Sequence, residues 1–257
     1  MRRMFSERIL SVLRGDARLT SYVCFDLETT GLSPETDEII EIGAVKVIEG
    51  KVVDRFSRFV KPDAPISPMV ESLTGISNEM VAEAGPTDRI IYDFLQFCDE
   101  FPVIGHNLMF DYRFTWRYAK KYYMEFDRAG VDTLQIARKV LPELPSRSLE
   151  NLCLHYGIVN ASAHRAYHDA LATAKLYQTL KHYFSVDYEE LFEARPLVWK
   201  QKKVQPATKR QKEYLKELGK YHKIEIKSDL ENLTRSEASR LIDKWILRYG
   251  RMEYRRR

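Results

Sequence analysis

The sequence predicts an α/β protein: a mixed β-sheet flanked by helices, followed by a small C-terminal helical module. Two patterns carry the prediction. Apolar residues run continuously or alternate with period two in the first third of the chain, as in strands, and recur about every 3.6 residues between Ile90 and Tyr183, as in helices. Strands that come first and are then covered by helices are typical of an α/β fold with a mixed sheet.

The first residues carry Phe5, Ile9, Val12 and Leu13 at helical spacing, which predicts an N-terminal helix over residues 1–19. Strands are predicted at residues 22–27, 39–48, 52–60, 102–105 and 130–132. The second and third form a hairpin through Gly50, and the prolines between residues 62 and 68 predict a loop that does not continue the sheet.

Helices are predicted near residues 90–98, 110–123, 133–140, 149–156 and 167–183. A proline-containing basic stretch at residues 195–207 is typical of a linker, and residues 208–257 are expected to form a separate helical module. Its second helix opens on Thr234 and Glu237, the spacing of a capping box.

Charge is distributed unevenly along the chain, although the 257 residues sum to only +4. Residues 1–199 hold 23 Lys and Arg against 29 Asp and Glu, a charge of −6, whereas residues 200–257 carry +10. An acidic body with a basic tail is expected of a protein with a carboxylate site and a polyanionic partner.

The composition, 44% hydrophobic and 30% charged, excludes a disordered or fibrous chain. A membrane-spanning protein is not expected, because no run approaches the roughly 18 apolar residues that a spanning helix needs. Charges at Glu7, Arg8 and Arg14 interrupt any signal-peptide core. Three widely spaced cysteines indicate buried thiols in a reducing, cytoplasmic protein.

Asp26 and Glu28 stand two residues apart at the end of the first predicted strand. Residues i and i+2 of a strand share a face, so both carboxylates would project to the same side of the sheet. Two such charges repel unless a cation neutralises them. The pair therefore indicates either a cation site or surface acids flanking a turn.

Two further segments favour the cation site. HNLMFD at residues 106–111 follows a predicted strand and places Asp111 at the start of a helix. HRAYHD at residues 164–169 opens the last helix of the body, with Asp169 in its first turns and His164 on the loop before it. Four carboxylates without a cysteine favour Mg²⁺, with Mn²⁺ able to substitute, over structural zinc.

With these segments in order, the chain resembles the DEDDh group of the DnaQ-like exonucleases, to which the proofreading epsilon subunits of bacterial replicative polymerases belong. The resemblance covers roughly residues 21–184 and includes DEIIEIGAVKV at 37–47, LTGIS at 73–77 and DTLQIAR at 132–138. It implies a ribonuclease H-like fold, with an exonuclease domain at residues 20–194.

The resemblance also implies residue roles. It assigns two metal ions to Asp26, Glu28, Asp111 and Asp169, and the general base to His164. His168 is next to Asp169, but the motif places the catalytic imidazole five residues before the aspartate. Tyr167 is not at the spacing of the related tyrosine variant, where this chain has Arg165.

Implied activity is metal-dependent 3′→5′ hydrolysis of the terminal phosphodiester of DNA, at single-stranded or frayed ends, with release of nucleoside 5′-monophosphates. Thr29, Thr30, Gly31, Leu32, Asn107 and Phe110 are expected to meet the terminal nucleotide. For Phe110, ordinary core packing is the alternative. RNA trimming by the same chemistry stays open, and so does a non-catalytic nucleic-acid-binding scaffold, for which a missing ligand would be the mark.

The basic module interleaves Lys and Arg with Tyr214, Tyr221, Trp245, Tyr249 and Tyr254. Basic residues contact phosphates and aromatic rings stack on unpaired bases, so a nucleic-acid tether is one hypothesis. A simpler hypothesis is that these aromatic residues form the core of the module itself. Docking to a polymerase or another nucleic-acid-processing protein is a third, for which the sequence offers no recognisable motif.

Overall fold

The computed structural model describes residues 19–161, 163–199, 205–224 and 229–252. Tyr254 lies outside these ranges, and so does the predicted N-terminal helix apart from its last residue, Leu19. The chain divides after Trp199 into two compact units, each of which is described by itself below.

In the first unit the described residues form a six-stranded sheet. Its strands are β1 (Tyr22–Thr29), β2 (Ile39–Ile48), β3 (Lys51–Phe59), β4 (Val103–Gly105), β5 (Ala129–Asp132) and β6 (Arg195–Pro196). The spatial order is β3-β2-β1-β4-β5-β6. The first three strands are antiparallel, β1, β4 and β5 are parallel, and β6 is antiparallel to β5. The predicted mixed sheet is confirmed.

The helices of this unit are α1 (Pro68–Thr74), α2 (Asn78–Ala82), α3 (Thr87–Cys98), α4 (Met109–Lys121), α5 (Thr133–Val140), α6 (Leu149–Tyr156) and α7 (Ala166–Phe184). A 3₁₀ turn follows at Glu189–Leu191. None of the helices in the described ranges is both long enough and apolar enough to cross a membrane.

Helices cover both faces of the sheet, because alternate residues of β1 enter two different cores. Val23, Phe25 and Leu27 pack with residues of α3 and α4. Tyr22 and Cys24 pack with residues of α5, α6 and α7. Period-two alternation in one central strand therefore places helices on both faces. The three cysteines are buried and unpaired, as the sequence predicts.

Several boundaries differ from the sequence-based expectation, and two of the differences have a clear physical reason. The loop predicted through Pro68 ends one residue earlier, because Pro68 begins α1: proline needs no N–H at the first helical position, and Ser67 Oγ accepts the hydrogen bond from Val70 N. Arg195 and Pro196, which were expected in the linker, pair with β5 as strand β6.

The second unit contains α8 (Lys209–Tyr221) and α9 (Arg235–Tyr249). Both open on capping boxes, from Thr208 to Gln211 and from Thr234 to Glu237. Their small shared core has these buried residues: Ala207, Leu215, Leu218, Leu230, Ala238 and Trp245.

The two helices of this unit run in the same direction. Gln211 Nε2 donates to Arg235 O at the amino ends, 3.0 Å away. At the carboxyl ends His222 Nε2 lies 3.0 Å from Gly250 O.

Candidate active site

The acidic site forms at the carboxyl end of β1. Asp26 and Glu28 continue the even-numbered series of β1 residues, which faces α7, and Asp169 lies in the first turn of α7. One carboxylate oxygen from each of these three residues lies within 4.8 Å of the others. Residues 143 positions apart in sequence thus meet because α7 packs across β1 and β2.

Asp111 joins the site from the other side of the strand end. It lies in the first turn of α4, which follows β4, the parallel neighbour of β1. Its Oδ1 accepts a hydrogen bond from Leu27 N at 3.0 Å, so the carboxylate is fixed beside the strand between Asp26 and Glu28. Asp111 is 3% exposed.

His164 stands at the edge of the site, with an exposed side chain. Its backbone has φ 62°, in the left-handed region, and its N–H donates to Asp169 Oδ2 at 2.9 Å. The other carboxylate oxygen, Asp169 Oδ1, accepts from Asn160 Nδ2 at 2.6 Å. Both oxygens of Asp169 are therefore oriented by neighbouring groups.

The four carboxylates disfavour each other's charge. Burial raises the pKa of the Asp26 carboxyl well above its usual range, and the nearby charges of Asp111 and Asp169 raise it further. Burial, then the charge of Asp169, raises the pKa of Glu28 to about 8. For Asp111 and Asp169 burial also raises the pKa, against hydrogen bonds that lower it, from Leu27 N–H in the first case and Asn160 in the second.

These groups fit a divalent cation. The ligand atoms are carboxylate oxygens, which hard cations such as Mg²⁺ prefer. Partly buried carboxylates whose pKa values are raised by each other's charge gain most from a cation that neutralises them. The chemistry of the donor atoms and their mutual repulsion therefore fit a divalent cation.

The segment after β1 forms a tight turn next to the acidic site. Thr29 Oγ1 donates to Gly31 O at 2.7 Å, and Thr30 Oγ1 accepts from Glu38 N at 2.9 Å. Leu32, at the tip, is 85% exposed, although it is a large apolar residue. The predicted contact residues 29–32 thus form a braced turn with one apolar side chain in solvent.

Asn107 and Phe110, the other predicted contact residues, differ in environment. Asn107 is exposed, has φ 67°, and donates its N–H to Asp132 Oδ1 at 3.0 Å. Phe110 is partly buried, packs against the core and has its ring centroid 5.1 Å from that of Phe114. These contacts agree with the alternative that Phe110 is an ordinary core residue. The part of its side chain that stays exposed could still contact a nucleotide.

Sequence reasoning missed Asn160, Glu41 and Arg165. Asn160 holds Asp169 through its amide, while its own Oδ1 is buried and has no hydrogen-bond partner among the described residues. A lone asparagine on a loop gives no sequence signal. Glu41 did give a sequence signal, because an acidic residue among Ile39, Ile40 and Ile42 interrupts an otherwise apolar strand.

The sheet order, the helices on both faces and the acidic site at the end of β1 define the class, a ribonuclease H-like α/β nuclease. The family model for exonucleases, RNase_T, matches residues 23–177, so the chain belongs to that exonuclease family. The predicted resemblance and fold are confirmed.

Two curated relatives that the chain resembles are DNA polymerases by name. DNA polymerase III PolC-type from Caldanaerobacter subterraneus subsp. tengcongensis is 40% identical over 156 residues, which are 61% of this chain and 11% of the relative. The PolC-type enzyme of Bacillus subtilis is 38% identical over 159 residues, again 61% and 11%. The match thus spans about a tenth of the length of these relatives.

Solved structures agree on the fold. Exonuclease X in complex with 5′ overhanging duplex DNA is 27% identical, with a TM-score of 0.52, and the match covers 66% of this chain and 96% of that one. E. coli exonuclease I in complex with a dT13 oligonucleotide is 21% identical, with a TM-score of 0.59, over 67% and 43% of the two chains. At 21% identity, the similarity to exonuclease I shows a shared fold only.

Proposed function

We propose that this chain is a metal-dependent 3′→5′ exonuclease that hydrolyses the terminal phosphodiester of DNA at single-stranded or frayed 3′ ends and releases nucleoside 5′-monophosphates. The observation that carries the proposal is the set of carboxylate oxygens from Asp26, Glu28 and Asp169 within 4.8 Å of one another, with Asp111 beside it. A chain of an exonuclease family with this cluster retains the means of phosphodiester hydrolysis.

Asp26, Glu28, Asp111 and Asp169 would hold two divalent ions, and Mg²⁺ is the proposed cofactor because the ligands are hard oxygens. Such a pair supplies charge stabilisation for the attacking and leaving oxygens of an in-line displacement. The protein's own contribution is to fix the ligands: Leu27 N–H orients Asp111, while Asn160 and the His164 N–H orient the two oxygens of Asp169.

His164 is the proposed general base. Its exposed side chain lies on the loop directly before α7, and its backbone is tied to Asp169. A neutral imidazole nitrogen there would take a proton from the attacking water at neutral pH. The five residues expected of an active enzyme are present in the sequence and their segments lie together, which argues against the scaffold alternative.

DNA is the proposed substrate because the PolC-type relatives are DNA polymerases by name and the exonuclease X structure holds duplex DNA. Leu32 and the turn at residues 29–32 would contact the terminal nucleotide, together with Asn107 and the exposed part of Phe110. A terminal nucleotide must enter the site to reach the carboxylates, which favours single-stranded or frayed ends.

The test is digestion of 5′- and 3′-labelled DNA and RNA oligomers of the same sequence, with Mg²⁺ or with EDTA. Shortening from the 3′ end of DNA, dependent on Mg²⁺ and lost in Asp26→Ala, is the expected result. Asp54→Ala, which removes an exposed acid on β3, is the matched control and should keep the wild-type rate. Faster digestion of RNA would replace the DNA proposal by RNA trimming.

A second function, for the C-terminal unit, is contact with single-stranded nucleic acid. Trp245 is 8% exposed and belongs to the core, whereas Tyr221 and Tyr249 are 51% and 42% exposed. Both pack on His222, whose ring centroid lies 4.7 Å from that of Tyr221 and 5.9 Å from that of Tyr249. Exposed rings next to Lys220 and Arg248, in a segment of charge +10, suit stacked bases and phosphates better than a protein partner.

A further inference from the structure

Glu41 is a buried charged residue near the start of β2, the strand between β3 and β1. It lies on β2 opposite Glu28 on β1 and is 1% exposed. Burying a carboxylate is costly unless it is paired and hydrogen-bonded, and an apolar residue of similar volume often gives equal or greater stability. Its presence beside an acidic site, where it adds a further negative charge, therefore calls for a role other than stability.

Two partners from the α7 end of the chain satisfy this carboxylate. Arg165 donates from Nη2 to Oε1 at 3.0 Å and from Nε to Oε2 at 3.2 Å, a bidentate ion pair. Ala166 N donates to Oε2 at 3.1 Å. Planar, two-bond pairing fixes orientation more tightly than a single contact does.

The Ala166 N–H is one of the amide groups at the start of α7 that lack a partner within the helix. Arg165 occupies the N-cap position and makes no side-chain capping bond. Glu41 thus caps α7 from a position 125 residues away in sequence, and its negative charge is favourable at the amino end of the helix.

The capped segment carries two proposed active-site groups. His164 directly precedes Arg165, with its backbone in the left-handed region, and Asp169 lies one turn into α7. On the same strand, Gly43 lies against this turn, and a Cβ there would overlap the backbone of Ala166 and Tyr167. Strand β2 therefore sets the place of the segment that carries both groups.

We propose that Glu41 is a positioning residue, which acts through the Arg165 side chain and the Ala166 N–H to fix His164 and Asp169 relative to Asp26 and Glu28. This inference rests on the proposed exonuclease function. It assigns Glu41 no contact with substrate.

The first experiment measures kcat and KM of the full chain with a single-stranded DNA oligomer. Glu41→Gln keeps the shape and one acceptor oxygen but loses the bidentate ion pair. Arg165→Lys, on a partly exposed side chain, loses the fork and leaves the β2 core untouched. We expect both to lower kcat about 30-fold with KM within about threefold, because misplacement of catalytic groups reduces turnover more than binding.

The matched control is Asp93→Asn, which breaks an exposed Arg89–carboxylate pair of 3.0 Å on α3 and should leave both constants unchanged. A double variant, Glu41→Gln with Arg165→Lys, separates positioning from general destabilisation. If Glu41 acts through Arg165, the double variant loses about as much as either single variant. Losses that multiply, or a folded Glu41→Gln protein with kcat within threefold of wild type, would overturn the proposal.

Hydrogen–deuterium exchange gives a readout that needs no activity. In wild-type protein the Ala166 amide is protected by Glu41, and both variants should exchange at least about tenfold faster across residues 163–169. Unchanged exchange there would refute the positioning role. If wild-type protein lacks metal-dependent digestion, the proposed function fails, while the exchange result still decides whether Glu41 fixes this segment.

Discussion

Asp111 Oδ1 accepts the backbone N–H of Leu27 at 3.0 Å, so a carboxylate from the first turn of α4 replaces a sheet hydrogen bond at the end of β1. The bond spans 84 residues and connects two of the three sequence motifs. It orients Asp111 without any metal and leaves the second oxygen of the carboxylate available.

The effects of Asp111 variants on stability and activity should therefore separate. Asp111→Asn keeps an oxygen for Leu27 N–H and should have a free energy of unfolding at least as large as that of wild type, yet lose activity about 1,000-fold or more, because a neutral amide is a weaker ligand than a carboxylate for a hard cation. Asp111→Leu leaves the Leu27 N–H buried without a partner and should lose about 1–3 kcal/mol as well. Chemical denaturation and digestion assays measure the two effects; equal stabilities of the two variants would contradict this account.

Stability in EDTA should depend on pH through the acidic cluster. The pKa of Glu28 is raised from 4.5 to about 8 in the folded chain, so its ionisation opposes folding. The protonated Glu28 carboxyl makes its full contribution to stability below the unfolded-state pKa. This contribution is lost as pH rises through the folded-state pKa. Between pH 6 and pH 8 the loss is about 2 kcal/mol, or roughly 5 °C in Tm.

Mg²⁺ should remove this dependence, since neutralised carboxylates no longer oppose folding. Thermal unfolding at pH 6 and pH 8, with EDTA or Mg²⁺, measures it: the Tm gain from Mg²⁺ should be larger at pH 8. Glu28→Gln is the matched variant and should show a flatter Tm profile in EDTA. A wild-type profile that is already flat between these pH values would rule out the electrostatic description of the site.

His164 and His168 lie within five residues of each other and should respond differently to replacement. His164→Ala removes the proposed base and should lower kcat about 100- to 10,000-fold. His168 packs its ring on Tyr167, 5.3 Å between centroids, and His168→Ala should keep activity within about threefold of wild type. Steady-state digestion of single-stranded DNA compares them, and the reverse order of losses would mean that the wrong imidazole has been chosen.

Replacement of either Tyr221 or Tyr249 by Ala in the full chain should weaken affinity for a dT oligomer about tenfold, because a stacked base contributes about 1–3 kcal/mol. Leu247→Ala, which removes a 90% exposed apolar side chain from the same helix as Tyr249, is the control. Fluorescence anisotropy in EDTA measures binding without cleavage. Lys220→Gln should reduce the salt dependence of binding by about one phosphate contact. If neither tyrosine replacement changes the affinity for the dT oligomer, the protein-docking alternative is favoured.

Local sequence patterns predicted most of the fold. Continuous apolar runs located β1 and β2, period-two alternation located β3, period 3.6 located α3 to α7, and the Thr234–Glu237 spacing located the start of α9. The patterns failed where a single residue type has two uses. Proline excludes a strand but also starts a helix, and so Pro68 begins α1. Strand β6 has only two residues, too few for any periodicity.

In the candidate site, too, the sequence predicted some residues and missed others. Short motifs located Asp26, Glu28, Asp111, His164 and Asp169, and the structure brings their segments together. Their catalytic roles stay predictions. The residues that orient them were not found, because the Glu41–Arg165 pair and the Asn160–Asp169 contact depend on packing between distant segments.

Gly43 has no side chain, carries no charge and is fully enclosed, yet its replacement by alanine would push back the turn that bears Asp169. A saturation-mutagenesis map of this chain should therefore contain a position as intolerant as the proposed metal ligands, at a residue with no reactive side chain. Such a map, taken alone, would lead a reader to assign Gly43 to catalysis, when what it marks is the space that two backbones share.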